Sequence, residues 1–66
     1  MVKIFENYGV VIEFEDENYY ITADTGGIGG WMTRDETTLE EAELAQLGEL
    51  QALEVLRAVD RRAGRL

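Results

Sequence analysis

The 66-residue chain has no cysteine, no histidine and no serine, and a single lysine. Without cysteine there is neither a disulfide nor a thiolate-bound zinc, and without histidine there is no imidazole ligand. The same gaps remove the common nucleophiles and the one side chain that ordinarily titrates near neutrality, leaving carboxylates, threonine, tyrosine and Lys3 for any chemistry. The expectation is a non-enzymatic protein without cofactor or metal. No uncharged run approaches the roughly 20 apolar residues of a membrane span, and no secretory signal is read, so the expected location is cytoplasmic. There is no internal repeat.

What is present is a single domain, residues 1–66. A hydrophobic content of 45% is too high for a disordered chain. A domain of this size buries only about 60% of the surface its unfolded chain exposes, and its core rarely supplies more than about 3–5 kcal/mol unaided. With no covalent or metal staple, docking on a partner or homodimerisation is the remaining route to further burial. Net charge is −8, unevenly spread: residues 1–54 carry 13 acidic and 2 basic side chains, whereas residues 55–66 carry 1 acidic and 4 basic. Phosphate contacts need clustered Lys and Arg, so direct nucleic-acid binding is disfavoured and a basic protein or nucleoprotein complex fits better.

The patterning predicts an α+β protein: a three- to four-stranded antiparallel sheet of β-hairpins over residues 2–33, then one long C-terminal helix over 37–63, packed on one face and subject to a kink. Residues 2–6 and 10–15 read as strands joined by the three-residue loop Asn7-Tyr8-Gly9. Pairing Glu6 with Val10 sets Ile4 opposite Ile12 and Val2 opposite Phe14 on one face, and Lys3 opposite Glu13 on the other. A second hairpin turning at Asp16-Glu17 sets Phe14 against Tyr19, Ile12 against Ile21 and Val10 against Ala23, on the same face. Two independent register choices thus agree on one core face. The other face carries Phe5, Val11, Tyr20 and Thr22 among charged residues, with Phe5 and Tyr20 as expected contact anchors. Trp31-Met32-Thr33 makes a short fourth strand beside residues 18–24, with Gly26 to Gly30 as a mobile turn.

Thr38-Leu39-Glu40-Glu41 matches a capping box and starts the helix, and Gly64 ends it. Leucines at 44, 47, 50, 53 and 56 step by three, so the row winds around the cylinder instead of forming one stripe. Val55, Leu56, Val59 and Ala63 make one face, while Leu39, Ala42, Leu50 and Leu53 point away from it. Gly48 lies between the two sets, and either a kinked continuous helix, the favoured form, or a break into two helices follows.

Asp24-Thr25-Gly26 resembles the active-site triplet of aspartic proteases, and Gly26-Gly27-Ile28-Gly29-Gly30-Trp31 resembles the glycine-rich flap of the retroviral members of that family. Here the two are contiguous and share Gly26, and one backbone cannot be both floor and lid of a cleft, so paired-carboxylate chemistry is excluded. The glycines also lack the spacing and the lysine of a phosphate loop. Glu13, Glu15, Asp16, Glu17 and Asn18 lack the spacing of a calcium loop.

In size, acidity and missing catalytic set, the whole chain resembles small phage-encoded inhibitors of the anti-CRISPR kind. The resemblance implies an inhibitor that occupies a basic surface otherwise used by nucleic acid. The partner-binding candidates are Glu13, Glu15, Asp16, Glu17, Tyr20, Trp31, Glu40 and Glu43, and Glu41 lies beside them. The alternative is a structural or assembly module that dimerises, or docks into a larger complex, through its leucine-rich helix.

Overall fold

The two hairpins solve the same problem with different residues. A computed structural model, which describes residues 2–24 and 32–65, shows strands β1 (Val2–Asn7), β2 (Val10–Glu15), β3 (Asn18–Asp24) and β4 (Met32–Thr37) in one antiparallel sheet of order β1-β2-β3-β4. Two-residue hairpin loops that match strand twist need positive φ at both positions. Asp16 (φ 51) and Glu17 (φ 68) meet this in the β2–β3 turn, and Tyr8 (φ 55) and Gly9 (φ 77) in the β1–β2 turn.

The β2–β3 register is the expected one, with Phe14 opposite Tyr19, Ile12 opposite Ile21 and Val10 opposite Ala23. The Phe14 and Tyr19 rings lie 4.9 Å apart, tilted by 53°. The first hairpin corrects the expectation in two respects. Its loop is Tyr8-Gly9 alone, so Asn7 pairs with Val10 and Phe5 with Ile12. A register shift between Lys3 and Phe5 then makes Ile4 an extra residue, and Val2–Phe14 and Lys3–Glu13 pair as anticipated. Such a bulge re-aims side chains. Phe5 consequently packs against the core and is not an anchor of the outer face, whereas Ile4 is 44% exposed.

β4 is longer than the predicted fragment. It pairs with β3 from Asp24–Met32 to Tyr19–Thr37. Trp31 and the Gly26 to Gly30 turn lie outside the described residues.

The helical region follows as two helices, α1 (Leu39–Ala45) and α2 (Glu49–Arg62). The break at Gln46-Leu47-Gly48 replaces the continuous kinked helix, and Gly48 is the N-cap of α2. The capping box forms as read: Thr38 Oγ1 accepts from the Glu41 N–H and Glu41 Oε1 accepts from the Thr38 N–H, both at 3.0 Å. At the far end Gly64 adopts φ 81, while Gly64 N–H donates to Arg61 O (3.2 Å) and Arg65 N–H to Asp60 O (2.7 Å). That is the Schellman pattern, with glycine in the left-handed position that it tolerates best.

The core joins Val10, Ile12, Ile21 and Ala23 of the sheet to Ala42 and Ala45 of α1 and Ala52, Val55 and Val59 of α2. Ala42 therefore faces inward, contrary to its grouping with the outward leucines, because the break gives α1 its own orientation. Alanines at the interface let the helices approach the sheet closely but bury little apolar area. The large, fully buried side chains are Ile12, Ile21, Val10, Val55 and Val59. An Ile12→Ala truncation costs about 2–5 kcal/mol, comparable with the whole net stability of about 3–5 kcal/mol expected at this size. No helix among the described residues is long and apolar enough to cross a membrane.

Candidate functional site

Strand alternation sends Glu13 and Glu15 of β2, Tyr20 and Thr22 of β3, and Met32, Arg34 and Glu36 of β4 to the sheet face opposite the helices. Arg34 organises this face. Its Nε lies 3.7 Å from Glu13 Oε1 and its Nη2 3.7 Å from Glu15 Oε2, and the guanidinium carbon sits 4.0 Å from the centroid of the Tyr20 ring. Thr22 Oγ1 donates to Glu13 Oε1 at 3.2 Å. Three predicted contact residues, Glu13, Glu15 and Tyr20, are thus brought together around one cation. Sequence reading missed Arg34, although its place in the alternating run Met32-Thr33-Arg34-Asp35-Glu36-Thr37 marks its face.

Asp16 and Glu17 occupy the exposed β2–β3 turn, and Glu40 and Glu43 are exposed on α1. The register joins these two groups. Glu15 pairs with Asn18 at the turn, and Thr37 pairs with Tyr19 one step along, so α1 starts at the turn end of the sheet. Among the described residues Asp16, Glu17, Glu40 and Glu43 enter no ion pair. Trp31 lies outside the described residues.

Beside this end, Arg62 of α2 closes the capping box. Its Nη1 and Nη2 donate to Glu41 Oε2 (3.2 Å) and Oε1 (3.0 Å), and Nη2 also donates to the Glu36 carbonyl (3.1 Å). Burial pushes the Glu41 pKa upward, but the hydrogen bond from Arg62, the Thr38 N–H and the positive charge of Arg62 outweigh it, and the carboxyl ends below its ordinary value. The Arg62 guanidinium is correspondingly raised, first by its hydrogen bond to Glu41. Arg65 donates to Asp35 Oδ2 at 2.6 Å and to Asp60 Oδ1 at 2.8 Å, and both contacts raise its pKa. These pairs tie the helix end to β4 and leave Glu40 and Glu43 as the unengaged acids of α1.

A shallow depression of about 300 Å³ lies alongside, lined by Glu36, Thr37, Thr38 and Arg62. Among the described residues no three acidic side chains converge as a cation site requires. Chemically the arrangement presents a carboxylate-rich end next to an aromatic and guanidinium stack. Fold and site together define a small acidic α+β protein, a four-stranded meander backed by two short helices. Comparison with protein-family models, with curated proteins and with solved structures finds no match to this chain.

Proposed function

We propose that the protein is a small acidic, non-enzymatic binding protein that occupies a basic surface of a nucleic-acid-binding protein or complex, acting as an inhibitor of the anti-CRISPR kind. One observation carries this reading: Asp16 and Glu17 in the β2–β3 turn, and Glu40 and Glu43 on the α1 helix that starts at that end of the sheet, are exposed without an internal counter-charge among the described residues. Arg34 is engaged with Glu13 and Glu15, and Arg62 with Glu41. Unneutralised carboxylates at one end steer a basic partner and hold it through contacts that salt screens. Lack of His, Cys and Ser supports the non-enzymatic part.

The test is capture from a lysate of the source cell on immobilised protein at low and high salt, with mass spectrometry of what elutes. A basic nucleic-acid-binding protein retained at low salt, released at high salt and lost with the variant D16N/E17Q/E40Q/E43Q is the expected result. Equal capture by that variant overturns the reading.

A second reading, docking through the leucine-rich helical region, is favoured by the exposure of Leu47 (73%) and Leu50 (71%).

A further inference from the structure

We infer that the outer face of α2 binds a second copy of this chain, with the two α2 helices antiparallel. The inference rests on the second reading above and names the partner that it leaves open. One side of α2 is spent on the core through Ala52, Val55 and Val59. The other side shows Leu50 (71% exposed) and Leu53 (42%), continued by Leu47 just before the helix. Leucines side by side on an exposed helix face form the kind of apolar patch that marks a contact surface.

The flanking charges identify the occupant. Glu49 and Glu54 lie in the first half of α2, Arg57 and Arg61 in the second, and all four are exposed. None of them forms an ion pair among the described residues, although Arg62 and Arg65 beside them are both paired within the chain. An apolar patch with acid at one end and base at the other suits a surface of the same polarity reversed. A uniformly basic partner meets Arg57 and Arg61 unfavourably, and a uniformly acidic one meets Glu49 and Glu54. The same helix turned end for end satisfies both.

Glu49 and Arg57 each lie four residues from Leu53, so at 1.5 Å per residue both are about 6 Å from it along the axis. A two-fold axis passing at Leu53 therefore sets Glu49 of one copy level with Arg57 of the other, and brings the leucines of both copies into the seam. A parallel pair would instead set Glu49 against Glu49 and Arg57 against Arg57. The contact is isologous, as closed dimers require.

The patch is small beside the about 1,600 Å² of a standard interface, so the dissociation constant falls on the order of 1–100 µM. Salt acts on this dimer in the sense opposite to its effect on a basic ligand. Two chains of net charge −8 repel at low ionic strength. At a Debye length of about 8 Å that long-range repulsion is largely screened, whereas contacts across the seam persist.

Sedimentation equilibrium of the full chain, loaded from about 0.1 µM to about 1 mM so as to bracket that range, tests the inference. The expected result is a monomer–dimer equilibrium that tightens from low to physiological salt. L50Q/L53Q, altered only at exposed positions, sediments as a monomer with an unchanged circular dichroism spectrum. E49R alone and R57E alone each weaken the dimer about tenfold, and E49R/R57E together restore it, the signature of a direct charge pair. A wild-type chain that stays monomeric throughout overturns the inference. If such a monomer still captures a different protein, and L50Q/L53Q abolishes that capture, docking through the helix survives and only the second copy is lost. A dimer indifferent to the charge swaps overturns the antiparallel arrangement.

Discussion

Lys3 Nζ lies 3.0 Å from Glu6 Oε1, although the two residues are three apart in one strand. In a regular strand such residues point to opposite faces. They meet because Ile4 is the extra residue of a bulge, which flips the parity of everything that follows it. The ion pair is exposed and worth only about 0–1 kcal/mol, so its value here is as a marker of the bulge.

Deletion of Ile4 removes the bulge while preserving each observed pair, Val2–Phe14, Lys3–Glu13 and Phe5–Ile12. The fold is expected to survive with a change in stability of about 1 kcal/mol or less, because Ile4 is largely outside the core. β1 is an edge strand, and bulges and lysines are devices that blunt edges. Straightening it is expected to raise concentration-dependent aggregation, read by light scattering on heating. A deletion variant no more prone to aggregate than wild type refutes the protective role.

At the β2–β3 turn, Glu17 holds φ 68 without being glycine. Glu17→Gly relieves a left-handed cost of about 1–2 kcal/mol against a glycine entropy cost of about 0.5–1 kcal/mol, for a net gain of about 0.5–1 kcal/mol. Thermal melting should show a higher midpoint, and capture of a basic partner at low salt should weaken in the same protein. Coincidence of the two effects would mark a turn kept strained for the sake of its charge; a lower midpoint would contradict the strain argument.

Thr37 is 7% exposed, and its Oγ1 has no hydrogen-bond partner among the described residues. Valine keeps the β-branched shape and removes the buried hydroxyl. Thr37→Val is expected to stabilise the protein by about 1 kcal/mol, measured by urea denaturation at constant m-value. A loss of stability would mean that the hydroxyl is satisfied after all.

Glu41 carries a pH dependence whose sign follows from its pairing. Its carboxyl titrates below the ordinary value in the folded chain, so the stability that it contributes is present above the unfolded pKa near 4.5 and is lost as pH falls through the folded one. Glu41→Gln retains a capping-box residue and removes only the charge facing Arg62. The variant should be about 1 kcal/mol less stable at pH 7, with the difference from wild type shrinking as the pH falls through the unfolded value and vanishing once it lies below the lowered folded one. A difference that persists unchanged at pH 3 would assign the effect to packing.

The second hairpin is legible in the sequence because a turn at Asp16-Glu17 sets Val10, Ile12 and Phe14 opposite Ala23, Ile21 and Tyr19 on the face the first hairpin also selects, even though Val11 and Tyr20 make the other face partly apolar. The first is not, because Ile4 and Phe5 are adjacent and both apolar, so a bulge between Lys3 and Phe5 costs the pattern nothing. β4 offers no apolar alternation at all; Thr33, Asp35 and Thr37 take the inner side because β3 dictates the register. Thr38 and Glu41 announce the first helix through their chemistry, whereas the break at Gly48 depends on which side of each short helix meets the sheet. The acidic end could be listed residue by residue, but its grouping could not. That the helix carrying Glu40 starts at the turn end that carries Asp16 follows only once Thr37 is seen to pair with Tyr19. Arg34 was hidden because a lone arginine in a polar run reads as solvated until its cross-strand neighbours are known.

The meander order has a consequence for how the chain acquires its structure. Every strand pairs with its predecessor, so the sheet can zip up through short loop closures, the low-contact-order route to folding in milliseconds or less. The contacts of Arg62 with Glu41 and of Arg65 with Asp35 span 21 and 30 residues and close longer loops than any strand pairing does. On a ribosome the four strands emerge before α2, with Ile12 and Ile21 uncovered until Val55 and Val59 arrive. For that interval the nascent sheet is an apolar face guarded mainly by the acidic residues around it, whose charge keeps the unfinished chain soluble.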